Sequence, residues 1–402
     1  MPSTADLVLQ TPVPVGLAQW TTPAARLPRV LYALALRPGH KFGSIEEQIL
    51  ALSARFREAG GLFLPLFSCP PAEGDLSFFH GRGVEAECLD LSRVCWATLP
   101  RLLRLVRDRR IEAIQWNFTP AVANAYLWWL TLLRPSVRHY FTDHISRTQP
   151  IPGPARGPRR LLKQLLLKRY AKVFCVSRFV EDCLRKERVW PDRLATCLHF
   201  VNTARFCPDV RARRRIRMEL GGEERFVVLV VGQLIAAKGI DVLIRAMAEL
   251  PADTVLWVLG EGPARASLEA LIAERGLAGR VRMLGHQFDV CPYMQAADCF
   301  VCPSQWAEAA GLVNLEAAAC GLPVIASRVG GIPEYLDDGA TGFLVEPGKV
   351  DALARSLRRL IHNRDLCRRL GEQARGLVVE RFSTEARLPD VLALYREGSV
   401  SP

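Results

Sequence analysis

The segment around residue 310 carries a pattern suited to binding an anion. Residues 302–325 read CPSQWAEAAGLVNLEAAACGLPVI, which is typical of a strand end, a loop, a helix, a glycine stop and a further strand. Gly311 stands where the loop meets the helix, so the backbone there can approach a ligand closely. The free N–H groups of Gly311, Leu312 and Val313 would face an anion, with the helix dipole behind them. This arrangement predicts a diphosphate site.

Two glutamates flank this predicted helix start. Glu316 lies just over one turn into the helix, where its carboxylate can accept two hydrogen bonds from a vicinal diol but would repel a bare phosphate. Taken alone, Glu308 and Glu316 could also be an exposed loop acid and an ordinary helix acid. Beside a diphosphate site, the pair indicates a phosphate joined to a sugar.

A second loop offers a cation. Residues 231–241 read VGQLIAAKGID, so Lys238 stands just before a predicted helix. On its own, Lys238 could equally be a solvated lysine. The segment from Gly232 to Gly239 superficially resembles a phosphate loop, but it lacks the Gly-Lys-Ser/Thr ending, which disfavours an ATPase.

The segment Glu308-x7-Glu316, followed by Ala-x-Ala-Cys-Gly-x-Pro-Val, resembles the signature of family 4 glycosyltransferases, retaining enzymes of the GT-B fold. The resemblance covers nearly all of residues 226–365, through VGQLIAAKGID, GEGP at Gly260, VRMLG at Val281 and GGIPE at Gly330. It implies that Glu316 holds the ribose, Glu308 the hydroxyls of the transferred sugar and Lys238 the donor diphosphate.

The same resemblance implies a donor-binding set drawn from both halves of the chain. Gln233 stands where the family usually has Arg, which removes one charge-assisted hydrogen bond, worth roughly 1.5 to 3 kcal/mol where it exists. Arg37, Lys41 or Arg328 could supply the missing charge. The implied donor-binding residues are Gly43, Ser44, Gly232, Gln233, Lys238, Gly262, Met283, Gly285, Ser304, Glu308, Ala310, Gly311, Leu312, Val313 and Glu316.

The N-terminal half matches the family more loosely. Gly43 and Ser44 resemble a glycine-containing loop that approaches the donor, although Ser44 could instead cap the following helix. His144, in YFTDHISR, resembles a cleft histidine that faces the reacting sugar, and a structural role is the alternative. The implied catalytic residues are therefore Glu308, Lys238 and His144.

Alternating strand and helix patterns predict two α/β domains of the GT-B type, each a parallel sheet with helices on both faces. We place the first domain at residues 1–208, the second at 209–385 and a C-terminal segment at 386–402 that packs back toward the first domain, with the linker near 207–222. The predicted strands are Arg29–Leu36, Leu62–Phe67, Ile111–Trp116, Val137–Thr142, Val173–Val176, Phe226–Gly232, Thr254–Gly260, Val281–Gly285, Cys299–Pro303 and Pro323–Ser327.

Composition and the apolar runs indicate the partners and the cellular location of the protein. The net charge of +12 implies anionic partners, while the twelve cysteines stand singly, as small buried residues do in a reducing cytosol. The start of the chain lacks a signal-peptide pattern, and the apolar run 125–133 falls short of the roughly 20 residues that span a bilayer. The basic segment 159–172 could dock on anionic lipid, or be a surface helix packed on its own domain. We therefore expect a cytoplasmic protein, peripheral on the inner membrane face if that segment docks.

These features together predict a retaining transferase that moves a sugar from a UDP-, GDP- or ADP-sugar to a glycan or lipid-linked acceptor in cell-surface polysaccharide synthesis. No metal is expected, because Lys238 and the helix start after Gly311 would stabilise the leaving diphosphate. The resemblance to family 4 favours front-face attack over a covalent Glu308 intermediate. A nucleotide-sugar 2-epimerase and a catalytically weak sugar-nucleotide-binding subunit are the alternatives; nucleic-acid binding is disfavoured because no aromatic-interleaved basic motif is present.

Overall fold

Two parallel sheets organise the computed structural model, which describes residues 26–69, 74–119, 124–148, 164–165 and 167–397. The first sheet has the strand order β3-β2-β1-β4-β5-β6-β7. Its strands are β1 Arg29–Leu34, β2 Leu62–Phe67, β3 Glu87–Cys88, β4 Ala113–Asn117, β5 Arg138–Asp143, β6 Lys172–Cys175 and β7 Leu194–Thr196. The helices between them are α1 Ser44–Glu58, α2 Ser77–His80, α3 Thr98–Asp108, α4 Ala125–Leu133 and α5 Arg178–Lys186.

The second sheet has the order β10-β9-β8-β11-β12-β13. Its strands are β8 Phe226–Val231, β9 Thr254–Leu259, β10 Val281–Gly285, β11 Cys299–Cys302, β12 Val324–Ser327 and β13 Gly342–Val345. The remaining helices are α6 Val210–Leu220, α7 Ile240–Met247, α8 Arg265–Glu274, α9 Cys291–Ala296, α10 Leu312–Ala319, α11 Val350–His362, α12 Arg364–Phe382 and α13 Thr384–Glu397.

Both sheets are doubly wound, which confirms the predicted fold class. In each sheet the strand order reverses beside the first strand, between β1 and β4 and between β8 and β11. Ligands of such folds bind outside the carboxyl ends of the strands at these reversal points. The fold therefore directs attention to the loops that follow β1, β4, β8 and β11.

Every strand predicted from an apolar run is present, within about two residues at each end. The runs are apolar throughout because helices cover both faces of a parallel sheet; five of the six residues of β8 are buried. Three strands were not predicted, namely β3, β7 and β13, which have two, three and four residues. Strands β3 and β7 are too short to show an alternation, whereas β13 is as long as the predicted strands β6, β11 and β12 and was not recognised.

The chain crosses between the domains twice. Residues 207–222, where we place the linker, contain helix α6, which is anchored on the second domain by two ion pairs of 2.6 Å to Asp298, from Arg213 and Arg217. The second crossing lies beyond α12, where the Val201 amide donates to the Phe382 carbonyl at 2.9 Å. Helix α13 then packs on α1 and on the first sheet.

Candidate functional site

The carboxyl ends of the two sheets meet across a cleft. Arg147, which follows β5, and Ala307, which follows β11, exchange backbone hydrogen bonds of 2.8 and 2.7 Å. Further along the cleft, the Glu334 carboxylate accepts the amides of Arg178 and Phe179 at the start of α5, at 2.8 and 2.7 Å. The two domains are thus in direct contact around the cleft, and their strand-end loops form one site.

Glu308 lies at the centre of this contact and is only 5% exposed. Its Oε1 accepts hydrogen bonds from Lys238 Nζ at 2.7 Å, Ser304 Oγ at 2.6 Å and Trp306 Nε1 at 2.8 Å. Its Oε2 accepts from Ser146 Oγ of the opposite domain at 3.2 Å. Four hydrogen-bond donors therefore fix the Glu308 carboxylate inside the site. The sequence alone had left open that Glu308 is an exposed loop acid.

The surroundings of Glu308 keep it ionised. Burial by itself raises the pKa of this carboxyl, but the charge of Lys238 and the hydrogen bonds from Lys238, Ser304 and Trp306 outweigh burial and bring the pKa below its usual value. The site thus contains a fixed negative charge beside the Lys238 ammonium.

Helix α10 begins at Leu312, with Gly311 as its N-cap at a φ of 74°. A Cβ at Gly311 would lie 2.7 Å from the Asn314 amide nitrogen, so both the left-handed backbone and the close contact require glycine. The amides of Gly311, Leu312 and Val313 belong to the N-cap and the first turn of the helix, where backbone donors lack helical partners. Ala310, just before them, is buried.

Glu316, in the second turn of α10, faces the first domain. Its Oε1 accepts the backbone N–H of Ser44 at 2.8 Å, and the residue is 7% exposed. The start of α1 thereby approaches the start of α10. The carboxylate lies between the two domains and does not face bulk solvent.

Gly43 and Ser44 lie at the start of helix α1, where the sequence had left open that Ser44 caps the helix. Ser44 is not the cap: Gly43 occupies the N-cap position, its N–H donates to Glu46 at 2.9 Å, and the Ser44 hydroxyl is buried without a hydrogen-bond partner. Ser44 acts through its amide, which reaches Glu316 as described. A Cβ at Gly43 would stand 3.3 Å from Glu316 Oε1, so the missing side chain leaves room for that carboxylate.

Glycines bring the loops of the second sheet together. A Cβ at Gly262 would lie 2.4 Å from the Leu234 carbonyl oxygen, and the Gly260 amide donates to the Gly285 carbonyl at 2.8 Å. The Lys238 side chain passes over Gly232, at 3.9 Å from the position a Cβ would take. These loops follow β8, β9 and β10, so they share the edge that bears Glu308.

Gln233 is exposed at this edge, whereas Met283 in β10 is partly buried. Of the residues considered as a replacement cation, Arg328 pairs with Asp338 at 2.5 Å and with Glu346 at 3.8 Å. Lys41 is exposed in the loop before α1, and its charge acts on the carboxyl group of Glu46.

His144 belongs to an aromatic stack on the first domain. Its ring lies 4.1 Å from that of Phe118 and 5.3 Å from that of His199, nearly parallel to both. Burial and the neighbouring His199 hold the pKa of His144 well below its usual value, so the ring is neutral at pH 7. The Nε2 atom lies 3.3 Å from Asn117 Oδ1.

The Asn117 amide defines the tautomer of His144. Its Nδ2 donates to the Ala33 carbonyl at 3.2 Å, which leaves Oδ1 facing the histidine as an acceptor. His144 therefore carries its proton on Nε2, and Nδ1 is the unprotonated nitrogen. Phe118, which follows Asn117, has a φ of 56°, an uncommon backbone conformation for a residue with a bulky side chain.

The structure brings the sequence-derived residues into two contacting groups, Lys238 with Ser304 and Glu308, and Gly43 and Ser44 with Glu316. His144 stands apart, although Ser146, two residues later, reaches Glu308. Sequence reasoning missed five residues at this site. They are Asn117, Phe118, Ser146, Trp306 and His199; Ser146 and Trp306 each stand two positions from a residue that was selected.

Metal ligands do not cluster in the described parts of the chain. No group of three or more His, Cys, Asp or Glu side chains there is placed to hold a metal ion. The cation next to the Glu308 carboxylate is an ammonium.

Two facing, doubly wound domains with a site at their strand ends define the GT-B class of proteins. Two family models match the chain: Glycosyltransferase Family 4 over residues 49–205 and Glycosyl transferases group 1 over residues 213–377. The chain belongs to the family 4 glycosyltransferases. This confirms the resemblance seen in the sequence.

Individual relatives agree with this membership. A glycosyltransferase of Methanocaldococcus jannaschii is 33% identical over 266 residues, covering 66% of this chain and 70% of that protein. The alpha-D-kanosaminyltransferase of Streptomyces kanamyceticus is 31% identical over 239 residues, 58% of this chain, and the chain spans only 61% of that enzyme's length. Anabaena HepE in complex with UDP-glucose shares the fold, with a TM-score of 0.79, 18% identity, and coverage of 92% of this chain and 100% of HepE.

Proposed function

We propose that this chain is a retaining glycosyltransferase that moves a sugar from a nucleoside diphosphate sugar to a hydroxyl of a glycan or lipid-linked acceptor, in cell-surface polysaccharide synthesis. The observation that carries the proposal is the 2.7 Å contact of Lys238 with Glu308, beside a helix that starts at Gly311. This arrangement combines a cation, free amides and a fixed carboxylate.

The diphosphate would lie against the start of α10. The amides of Gly311, Leu312 and Val313 and the ammonium of Lys238 would stabilise the charge that develops as the bond from the sugar to the phosphate breaks. Binding by backbone amides and one lysine would require no metal.

The two glutamates would orient the donor. Glu316, buried between the domains, would accept hydrogen bonds from the ribose hydroxyls. Glu308 would accept hydrogen bonds from the hydroxyls of the transferred sugar. All four donors to Glu308 stabilise its carboxylate form, which makes it a weak nucleophile. This supports front-face attack, in which the acceptor oxygen bonds to the anomeric carbon and its proton passes to the leaving phosphate.

His144 would act from the opposite wall. Its unprotonated Nδ1 can accept a hydrogen bond from a sugar hydroxyl, and its neutral ring adds no charge that would compete with Lys238 for the phosphates. The UDP-glucose present in the Anabaena structure of the same fold supports a nucleotide-sugar donor.

The first experiment is a thermal-shift screen of UDP-, GDP- and ADP-sugars, because a ligand that binds only the folded state raises its melting temperature. The stabilising donor is then incubated with glycan acceptors, and the product's anomeric configuration is read by NMR. Retention is expected; inversion, or the absence of stabilisation by every donor, would refute the proposal. Conversion of the donor without any acceptor would indicate the epimerase.

One observation favours a second candidate function, that of a catalytically weak sugar-nucleotide-binding subunit. Gln233 is exposed beside the predicted diphosphate site and offers a neutral donor where the family usually has arginine. Calorimetric binding of a nucleotide sugar, without transfer to any acceptor and without gain of transfer in Gln233→Arg, would favour this candidate.

A further inference from the structure

The first domain exposes a contiguous apolar surface outside the cleft. Trp96 is 77% exposed, Leu132 72% and Leu133 45%, and Trp128 and Trp129 each expose more than a third of their surface. The rings of Trp96 and Trp129 are 6.1 Å apart, so the loop and the helix form one surface. We call these five residues the tryptophan face. Single exposed apolar residues are ordinary, but a contiguous group indicates an interaction site.

The loop that carries Trp96 is held in place on α4. Tyr126 is buried; its hydroxyl donates to the Arg93 carbonyl at 2.7 Å and accepts the Cys95 amide at 3.1 Å. The exposure of Trp96 is therefore a fixed feature of the folded chain.

Helix α4 lacks a polar side. Its sequence is AYLWWLTLL, and its only side-chain hydroxyl besides that of Tyr126, on Thr131, donates back to the Leu127 carbonyl at 2.7 Å. Tyr126, Leu127 and Leu130 are buried against the domain, while the remaining large side chains point outward. A helix that is apolar all round is normally buried, so the outward side of α4 requires an apolar partner.

Basic residues border the tryptophan face. The Arg169 guanidinium lies 5.1 Å from the Trp128 ring, and Lys168 Nζ lies 4.5 Å from the ring of Trp190, which is itself exposed. The adjoining segments 93–96, 125–134 and 167–172 contain no acidic residue; their basic residues are Arg93, Arg134, Lys168, Arg169 and Lys172. Amphipathic tryptophan rings beside lysine and arginine are typical of surfaces that bind anionic lipid.

We propose that the tryptophan face docks this protein on an anionic phospholipid surface. The tryptophan rings and leucines enter the head-group region, while Lys168 and Arg169 approach lipid phosphates. The basic segment 159–172, considered from the sequence, lies largely outside the described residues, and its described end contributes these two cations. No helix in the described ranges is long and apolar enough to cross a bilayer.

The placement of the face suggests a use. The loop with Trp96 lies between β3 and α3, at the carboxyl edge of the first sheet, which is also the edge that borders the cleft. Docking would therefore bring the cleft near a lipid-linked acceptor. This consequence rests on the proposed function, whereas docking itself does not.

The test is flotation of the full chain with vesicles of phosphatidylglycerol and phosphatidylcholine in equal parts, and with phosphatidylcholine alone. The chain is expected to float with the anionic vesicles, and the double variant Trp96→Gln/Leu132→Gln to bind about tenfold or more weakly. Both side chains are exposed, so the fold is retained. The matched control is Val210→Gln/Met218→Gln on α6, where two similarly exposed apolar residues lie on the other domain.

Brominated acyl chains provide a second measurement, since they quench the fluorescence of tryptophan rings that enter the bilayer. Absence of flotation by the unmodified chain, equal flotation of the double variant, or equal binding to neutral vesicles would each overturn the proposal. If the unmodified chain forms a dimer that is absent in the double variant, and does not bind vesicles, the tryptophan face is a protein contact instead. Stabilisation by a nucleotide sugar is measured on the unmodified chain and on the same variants; if no nucleotide sugar stabilises any of them while flotation follows the expected pattern, only the proposed function is refuted.

Discussion

The two walls of the cleft present different kinds of side chain to the site. The wall from the second domain is ionic, with the Glu308 carboxylate held beside the Lys238 ammonium at 2.7 Å. The two histidines on the wall from the first domain, which we call the neutral wall, are uncharged at pH 7, because burial lowers the pKa of His199 to about 4, and burial together with His199 keeps the pKa of His144 well below its usual value. A permanent charge suits a diphosphate, whereas a neutral wall suits uncharged hydroxyl groups.

Glu316 belongs to the ionic wall but has its partner on the neutral one. Its carboxylate accepts the Ser44 amide at the start of α1, where the helix dipole favours an anion. The environment of Glu308 is set mostly within its own domain, whereas that of Glu316 depends on the approach of the other domain.

The largest expected effect comes from removing the cation. Lys238→Ala should lower kcat/KM by about 100- to 1000-fold, because the leaving diphosphate loses a preorganised charge. The pKa of Glu308 should rise in the same variant, because Lys238 contributes most to offsetting its burial. Steady-state kinetics measures the loss, and thermal unfolding checks the fold. Exposed Lys349→Ala is the control; kinetics like those of this control would place the diphosphate elsewhere.

The next effect tests the carboxylate shared by both walls. Glu316→Gln keeps an acceptor for the Ser44 amide but removes the charge, so donor affinity should fall roughly 10- to 100-fold, as for a lost hydrogen bond to a charged group. Isothermal calorimetry with the stabilising nucleotide sugar measures this. An unchanged Kd together with an unchanged kcat would remove Glu316 from the site.

Acid should destabilise the neutral wall. At pH 5 the imidazole of an unfolded chain, with its ordinary pKa of about 6.5, is protonated, while His199 in the folded protein, with a pKa of about 4, stays neutral. Stability is therefore present above pH 6.5 and is lost as the pH falls toward 4, by about 2 kcal/mol for His199 between pH 7 and pH 5. Urea unfolding at the two pH values measures the loss. The variant His199→Gln should lack this part of the loss in free energy of unfolding between pH 7 and pH 5. The variant His362→Gln, at an exposed histidine, should retain it. An equal loss in both variants would contradict the assignment.

The smallest effect tests the closest approach of the walls. Gly43→Ala places a Cβ 3.3 Å from Glu316 Oε1, at an extended φ of −132° that any residue adopts. The intrusion should cost about 1 kcal/mol, which raises the donor KM about fivefold. Gly279→Ala is the matched control, since a Cβ there meets nothing within 4 Å. A donor KM that is the same in both variants would show that Gly43 does not shape the donor site.

Much of the ionic wall could be predicted from the sequence. Glu308, Gly311, Glu316 and Lys238 stand in ordered loops or helix starts after apolar strands, and parallel strands bring such segments to one edge. The helix start at Gly311 was readable because a glycine and a loop precede an apolar run. The short strands β3 and β7 were not readable, since too few residues repeat.

What the sequence determined on its own is therefore the alternation of strands and helices and the chemistry of the loops in the second half. Only the tertiary structure decided which groups satisfy the two glutamates: Ser146 for Glu308, 162 residues away, and Ser44 for Glu316, 272 residues away. The physical reason is that a backbone amide or a single serine hydroxyl leaves no periodic trace in a sequence. It becomes a partner only when two separately folded sheets bring their edges within hydrogen-bond distance.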